Sequence, residues 1–132
     1  MNDNMKDNIN RISQAELEVM KILWQANGPV STGDIYKELS EQMGWDRSTV
    51  RTLLKRLTEK GSVITNKLKV LNYLPVVSEK EYCDVQTKNF VERLYGGSAK
   101  RLVSSLVENY NLTTTDIEEL RELLNSGGGK DE

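Results

Sequence analysis

Apolar positions along the amino-terminal half of the chain follow two different periods. Up to residue 60 they recur every three or four residues, which is the spacing of one face of a helix. After Gly61 the period shortens to two, which is typical of strands with one buried face. The pattern predicts helices at residues 12–27, 32–42 and 47–60, then a hairpin with strands at residues 62–66 and 70–76.

Polar residues that satisfy free backbone N–H groups mark where the helices begin. Asp46 is a strong N-cap for the third helix, whereas Asn27-Gly28-Pro29 ends the first and leaves Val30-Ser31-Thr32 as a short extended segment at most. A Ser or Thr three residues before a Glu predicts a capping box. This pairing occurs at Ser13 with Glu16, at Ser78 with Glu81 and at Thr115 with Glu118.

The three amino-terminal helices can bury a small core through their apolar faces. Trp24 is expected in this core, Tyr36 flanks its inward positions, and Trp45 is interpreted as a packing residue before the third helix. The predicted core positions are Leu17, Met20, Leu23, Ile35, Leu39, Val50, Leu53, Leu54 and Leu57. Three helices and a hairpin form the winged helix-turn-helix arrangement, so the predicted fold is mainly α with a small β-hairpin.

Three short amphipathic helices follow in the carboxy-terminal half. The first runs from Ser78 to about Tyr95, Gly96-Gly97 breaks it, and the others span residues 98–110 and 115–125. Helices of this length bury too little surface for a monomeric core, so their apolar faces are expected to pack against a symmetric copy. The candidate dimerisation residues are Tyr82, Phe90, Leu94, Leu102, Leu106, Tyr110, Ile117, Leu120 and Leu124.

Charge is separated along the chain although the formal net charge is only −2. Residues 11–75 carry ten Lys or Arg against seven Asp or Glu, whereas residues 76–132 carry seven against eleven. Within the basic part, Glu59 is the one acidic residue between positions 47 and 69. This asymmetry favours a polyanionic partner for the amino-terminal half, although a solvated basic helix without a partner would show the same charges.

The third helix has an outward face suited to DNA. In helix-turn-helix proteins this helix enters the major groove with its N-terminal residues toward base edges. At about 100° per residue, Ser48, Arg51, Thr52 and Lys55 lie opposite the apolar face. Lys residues at the wing suit backbone or minor-groove contact, or discourage pairing at a sheet edge. The predicted DNA-binding residues are Arg47, Ser48, Thr49, Arg51, Thr52, Lys55, Arg56, Lys67 and Lys69.

These patterns divide the chain into four predicted parts. Residues 1–10 are predicted to be a disordered arm and residues 11–76 a winged-helix DNA-binding domain. Residues 77–125 are predicted to be a three-helix dimerisation domain, and residues 126–132 a disordered, glycine-rich tail.

Composition excludes several kinds of active site. The chain has no His and a single Cys, which excludes Ser-His-Asp catalysis, zinc sites of Cys and His, and an intrachain disulfide. No segment approaches the roughly 20 apolar residues of a membrane span, and the polar amino terminus lacks the apolar region of a signal peptide. Cys83 is expected to be a buried, inert thiol. We therefore expect a cytoplasmic protein that is not an enzyme and needs no cofactor or metal.

Several segments together resemble the penicillinase repressor family, whose members include β-lactam-responsive and copper-responsive repressors. The likeness begins with the opening helix, Ile12–Trp24, and continues from Gly44-Trp45-Asp46 into Thr49–Leu57 and Lys60-Gly61. Further matching segments are Lys88-Asn89-Phe90, Tyr95-Gly96-Gly97, Leu102-Val103 and Ile117–Arg121.

The resemblance implies a repressor that binds an inverted-repeat operator with TACA/TGTA-like half-sites as a homodimer. By position, Ser48, Thr49, Arg51, Thr52 and Arg56 match the DNA-facing residues of the family. In the β-lactam branch, an activated membrane metalloprotease sensor cuts the repressor at an Asn-Phe bond in the fifth helix. The bond at the matching place is Ser105-Leu106, and neither residue matches that pair.

Two alternatives to a β-lactam-responsive repressor are also compatible with the sequence. One is a repressor of copper homeostasis, although the paired Cys-x-Cys motifs of that branch are missing here. The other is a winged-helix module that binds protein, in which the basic helix only keeps the domain soluble. Salt-sensitive binding to DNA distinguishes the repressors from the protein-binding module.

Overall fold

The computed structural model describes residues 3–67 and 69–128, and its contacts divide the chain into two compact units, Met1–Asn89 and Phe90–Glu132. The helices are α1 (Asp3–Asn10), α2 (Gln14–Gln25), α3 (Thr32–Met43), α4 (Arg47–Glu59), α5 (Glu79–Tyr95), α6 (Ala99–Asn109) and α7 (Thr114–Leu123). The strands are β1 (Val30–Ser31), β2 (Val63–Lys67) and β3 (Leu71–Pro75). Among the described residues, no helix is both long and apolar enough to cross a lipid bilayer.

The first unit confirms the predicted order of three helices and a hairpin. Strands β2 and β3 pair antiparallel with Ile64 opposite Leu74. The short strand β1 adds to the other side of β3, with Val30 opposite Tyr73, so the sheet order is β1-β3-β2. The hairpin therefore belongs to a small three-stranded sheet that ties the α2–α3 connection to the wing.

Local capping explains where the helices of this unit begin and end. The backbone N–H of Glu16 donates to Ser13 Oγ at 3.1 Å, and the N–H of Ser13 donates back to Glu16 Oε1 at 2.9 Å. Gly44 ends α3 with φ of +70°, a left-handed conformation that glycine adopts without strain. The predicted capping box at Ser13 is thus confirmed.

The core of the first unit agrees with most of the predicted positions. Ile35, Leu39 and the apolar face of α4 are buried as expected. On α2, however, Leu17 and Trp24 are only half-buried, because this helix turns the face that carries Val19 and Ile22 toward the core as well. The buried apolar residues of α2 and α4 are Val19, Met20, Ile22, Leu23, Val50, Leu53, Leu54 and Leu57.

Residues 3–10 differ from the disordered arm predicted for residues 1–10, of which residues 1 and 2 lie outside the described part of the chain. Residues Asp3–Asn10 form α1, and the side chain of Ile9 is completely buried. Asn89 Nδ2 also donates to Asn10 Oδ1 at 2.9 Å. Apolar burial and this side-chain hydrogen bond give the segment an anchor that its polar composition did not indicate.

The first unit also extends beyond the predicted boundary at residue 76. Val77 and Val85 are buried in the same core, and Trp24 Nε1 donates to the carbonyl of Val77 at 2.8 Å. The Tyr82 ring lies 5.5 Å from the Trp24 ring, centroid to centroid. The first turns of α5 therefore pack within the first unit, which ends at Asn89.

The second unit contains the end of α5 together with α6 and α7. Gly96 and Gly97 both have positive φ and end α5, as the sequence predicted. The capping box predicted at Thr115 with Glu118 is wrong, since Thr113 Oγ1 accepts from the N–H of Asp116 at 3.0 Å and Asp116 Oδ2 accepts from the N–H of Thr113. A single π-helical turn follows at Leu124–Gly128, and residues 129–132 of the predicted tail lie outside the described residues.

Candidate nucleic-acid interface

Helix α4 presents one buried and one exposed face. Its apolar side chains point into the core, and Asp46 Oδ1 accepts from the N–H of Thr49 at 2.9 Å, which fixes the start of the helix. The remaining faces are polar or basic. Every predicted DNA-binding residue is exposed: Arg47, Ser48, Thr49, Arg51, Thr52, Lys55, Arg56, Lys67 and Lys69.

Hydroxyl groups near the start of α4 are held by local hydrogen bonds. Ser48 Oγ donates to Asp46 Oδ1 at 2.8 Å, and Thr52 Oγ1 donates to the carbonyl of Ser48 at 2.9 Å. The N–H of Thr49, followed by the Ser48 hydroxyl, lowers the pKa of Asp46 below its ordinary value. The oxygens of Ser48 and Thr52 keep lone pairs as acceptors, and their positions on the exposed face are defined.

Arg47 is held by an aromatic ring from the preceding helix. Its Cζ atom lies 4.4 Å from the centroid of the Tyr36 ring, within the range of a cation–π interaction. The helical period predicts only that Tyr36 flanks the inward positions of α3. A residue eleven positions away in sequence order gives no periodic signal, so this contact could be found only in the folded chain.

The hairpin carries the two predicted wing lysines. Lys67 ends β2, Lys69 follows the hairpin tip, and both side chains are exposed. Asn72 Nδ2 donates to the carbonyl of Val70 at 3.0 Å, which supports the chain as it enters β3. Because β2 is at the edge of the sheet, these lysines also suit the alternative role of discouraging pairing between edges.

The sequence also predicts structural roles for two residues outside the predicted DNA-binding set. Trp45 is half-buried against the core, which confirms its interpretation as a packing residue. Cys83 is exposed, so the prediction of a buried thiol is wrong. The buried side of α5 runs through Val85, and Cys83 lies off that side.

The structure divides the predicted dimerisation residues between the two units. Tyr82 packs beside Trp24 in the first unit. The others lie in the second unit, where Leu102 is half-buried and the rest are exposed: Phe90, Leu94, Leu106, Tyr110, Ile117, Leu120 and Leu124. Ser105 and Leu106, the predicted cleavage pair, lie within α6, where Asn109 Nδ2 donates to the carbonyl of Ser105 at 2.8 Å.

Comparison with known proteins gives consistent matches over most of the chain. The sequence model of the penicillinase repressor family matches residues 12–126. The penicillinase repressor of Bacillus licheniformis is 37% identical over 117 residues, which cover 88% of this chain and 91% of the relative. The methicillin resistance regulatory protein MecI of Mammaliicoccus sciuri is 38% identical over 115 residues, which cover 86% of this chain and 93% of the relative.

Solved structures match a little more than half of the chain. The solution structure of the DNA-binding domain of the repressor BlaI superposes with a TM-score of 0.51 at 40% identity, covering 56% of this chain and 90% of that domain. The Bacillus licheniformis BlaI monomeric form in complex with the blaP half-operator gives a TM-score of 0.50 at 40% identity, with the same coverage. Both matches agree with the predicted winged-helix fold.

Proposed function

The chain belongs to the penicillinase repressor family, and on this premise we propose that it is a transcriptional repressor that binds operator DNA. The operator is expected to be an inverted repeat with TACA/TGTA-like half-sites, as the family resemblance implies. The names of the relatives, a penicillinase repressor and a regulator of methicillin resistance, support β-lactam resistance genes as the regulated targets.

The observation that carries this proposal is the exposed polar face of α4. The helix is anchored by its apolar side, is capped at its start by Asp46, and carries the basic residues Arg51, Lys55 and Arg56 on its solvent side. Basic and hydroxyl side chains at the N-terminal part of such a helix suit base edges and phosphates in the major groove. The solved BlaI complex with a half-operator supports the same use of this fold.

Different parts of the surface are assigned different roles in this proposal. Ser48, Arg51 and Thr52, on the outward face near the start of α4, are assigned to base edges in the major groove. Lys67 and Lys69 on the wing are assigned to the phosphate backbone, where they contribute affinity that does not depend on sequence. The remaining members of the proposed set, which supplement these contacts, are Arg47, Thr49, Lys55 and Arg56.

A homodimer through the second unit completes the proposal. None of the described side chains from Phe90 to Gly127 is buried, and Leu94, Leu106 and Leu120 are all exposed. Apolar faces of this extent usually mark an interface between proteins, most often with a symmetric copy. Two copies would place two recognition helices on the two half-sites of an inverted repeat.

A binding titration tests the central proposal. The full-length chain is titrated into a duplex with an inverted TACA/TGTA repeat and into a scrambled duplex of the same composition, at several salt concentrations. A repressor binds the operator more tightly, and both affinities fall as salt rises. Equal affinity for the two duplexes would remove the assignment as a sequence-specific repressor, and salt-insensitive binding would favour the protein-binding module.

We also propose that a membrane metalloprotease sensor causes cleavage of this chain and so releases it from the operator. The candidate bond, Ser105-Leu106, lies in the middle of α6, so this helix must unwind locally before a protease can bind an extended segment. Co-expression of the chain with a candidate sensor, with and without a β-lactam, would show fragments cut after Ser105 by mass spectrometry. An intact chain under inducing conditions would rule out cleavage at this bond.

A further inference from the structure

The contact between Tyr36 and Arg47 joins the two helices of the helix-turn-helix pair. Tyr36 lies on α3, and Arg47 is the first residue of α4. The 4.4 Å from the Arg47 Cζ atom to the centroid of the ring places the guanidinium against the aromatic face. The ring is half-buried and packs against the core beside the completely buried Ile35, whereas the Arg47 side chain is exposed.

Arg47 lies at the N-terminus of α4, where the helix dipole does not stabilise a positive charge. The N-terminus of a helix carries a partial positive charge, and α4 has no acidic residue in its first turn. The Asp46 carboxylate accepts hydrogen bonds from Ser48 and Thr49, and no carboxylate of the described residues forms an ion pair with Arg47. The Tyr36 ring is therefore the contact that orients this side chain.

A cation–π contact uses none of the N–H donors of the guanidinium, so these donors stay available to an acceptor. A planar group held in this way can form two parallel hydrogen bonds to a phosphate with little further loss of freedom. The first helix of a helix-turn-helix pair crosses the DNA backbone, whereas the outward face of the second helix reaches the bases. Arg47 is held toward α3, the helix at the backbone.

We propose that Tyr36 is a positioning residue that holds Arg47 ready for a two-pronged hydrogen bond to a DNA backbone phosphate. This inference rests on the proposed function as a DNA-binding repressor. It separates Arg47 from Arg51 in role: Arg47 contributes affinity for any duplex, and Arg51 contributes discrimination between sequences.

The test is a double-mutant cycle on DNA binding by the full-length chain. Dissociation constants are measured by fluorescence anisotropy for the operator and the scrambled duplex, with wild type, Tyr36→Leu, Arg47→Ala and the double variant. Tyr36→Leu is expected to weaken binding to both duplexes by the same factor, about two- to fivefold. Arg47→Ala is expected to weaken both further and to lower the slope of log K against log salt by about one.

The coupling between the two residues decides whether Tyr36 acts through Arg47. With Ala at position 47, Tyr36→Leu is expected to have no further effect on either dissociation constant. Tyr36→Phe retains the ring and is expected to bind within about twofold of wild type. Lys37→Ala is the matched control, because it removes a positive charge from the same helix at an exposed residue that lines a groove with Ile22 and Asp34.

Several outcomes would overturn the proposal. A Tyr36→Leu effect that persists with Ala at position 47 would show that the ring acts through the fold, and a loss confined to the operator would show that Arg47 reads bases. If Tyr36→Leu lowers the helical circular dichroism signal, Tyr36→Met serves as the second variant, with the same expectations. Failure of wild type to prefer the operator would count against the proposed function, while the cycle on the scrambled duplex still tests the pairing.

Discussion

Lys60 Nζ lies 2.6 Å from Glu16 Oε1 and joins the end of α4 to the start of α2 across 44 residues of sequence. The same ammonium donates to the carbonyl of Arg11 at 2.8 Å. Glu16 is only 1% exposed, and its Oε1 also accepts the N–H of Ser13 in the capping box. One carboxylate thus closes the helix cap and anchors the far end of the proposed recognition helix.

Removing the ammonium of Lys60 should be costly, because it leaves the Glu16 carboxylate buried without its counter-charge. Lys60→Met is expected to lower the free energy of unfolding by about 2–4 kcal/mol. The measurement is urea denaturation followed by circular dichroism at neutral pH. The control is Lys21→Met, which breaks the more exposed ion pair with Glu18 and should cost less than about 1 kcal/mol. Equal losses in the two variants would contradict a special role for the Glu16–Lys60 pair.

The same pair predicts how stability depends on pH. Burial alone raises the pKa of Glu16, but the hydrogen bonds from Lys60 and Ser13 and the charge of Lys60 outweigh it and hold the pKa below the ordinary 4.5. A carboxyl group with a lowered pKa in the folded state stabilises the fold above its unfolded pKa, and this contribution is lost as pH falls through the folded pKa.

We therefore expect the difference in unfolding free energy between wild type and Glu16→Gln to be constant near neutral pH and to shrink below about pH 4.5. Urea denaturation of both proteins from pH 7 to pH 3 measures it. Taking the difference between the two proteins removes the contributions of other carboxylates, such as Asp46 and Glu81, whose pKa values are also lowered. A difference that stays constant down to pH 3 would contradict this assignment.

The amino-terminal helix is predicted to contribute to stability through Ile9. Ile9→Ala removes a completely buried side chain and should lower the free energy of unfolding by about 2–4 kcal/mol. Lys6→Ala, on the same helix but exposed, should change it by less than about 0.5 kcal/mol. Thermal denaturation checks both variants. If the Ile9 variant were as stable as the Lys6 variant, α1 would not be part of the folded core.

The sequence could predict those parts of the fold that depend on neighbours along the chain. The cap at Asp46 and the buried face through Val50 and Leu57 follow from spacing within one helix, and the structure confirms them. The pairing of Glu16 with Lys60 and the burial of Ile9 depend on how distant segments pack. No local period carries that information, so packing overrides the polar character of residues 3–10.

The candidate interface likewise combines features that the sequence predicts with features that depend on how distant segments pack. The exposed positions of α4 follow from the helical period, because each residue not on the apolar face must point elsewhere. The Tyr36 ring beside Arg47 depends on the turn between α3 and α4, where Gly44 adopts φ of +70°. Exposure of Cys83 likewise depends on which side of α5 faces the core.

Base-reading and backbone-binding residues should differ in how their loss changes DNA affinity. Arg51→Ala is expected to narrow the gap in binding free energy between operator and scrambled duplex by about 1–3 kcal/mol. Lys67→Ala should weaken both complexes equally and reduce the salt slope by about one. Anisotropy titrations at four salt concentrations measure both effects, with Lys80→Ala as the control for an exposed charge on α5. If Arg51→Ala left the gap unchanged, its assignment to a base edge would be wrong.

A charge placed on the apolar face of the second unit should separate the two copies of the proposed dimer. Leu106 and Leu120 are 41% and 45% exposed, so we expect Leu106→Asp and Leu120→Asp to leave the unit folded while placing a charge on that face. Sedimentation velocity should then show a monomer, with circular dichroism confirming the helices. Asn111→Asp adds the same charge at an exposed loop position and should remain dimeric.

Separation of the copies should also affect the operator and a single half-site differently. A monomer keeps its recognition helix, as the solved complex of monomeric BlaI with a half-operator illustrates for that relative. The Leu120→Asp variant is therefore expected to bind an isolated half-site as wild type does. It should lose the additional affinity that two linked sites give an inverted repeat, about 100-fold or more. A dimer that survives both leucine substitutions, or an inverted-repeat affinity unchanged by them, would place the interface elsewhere on the chain.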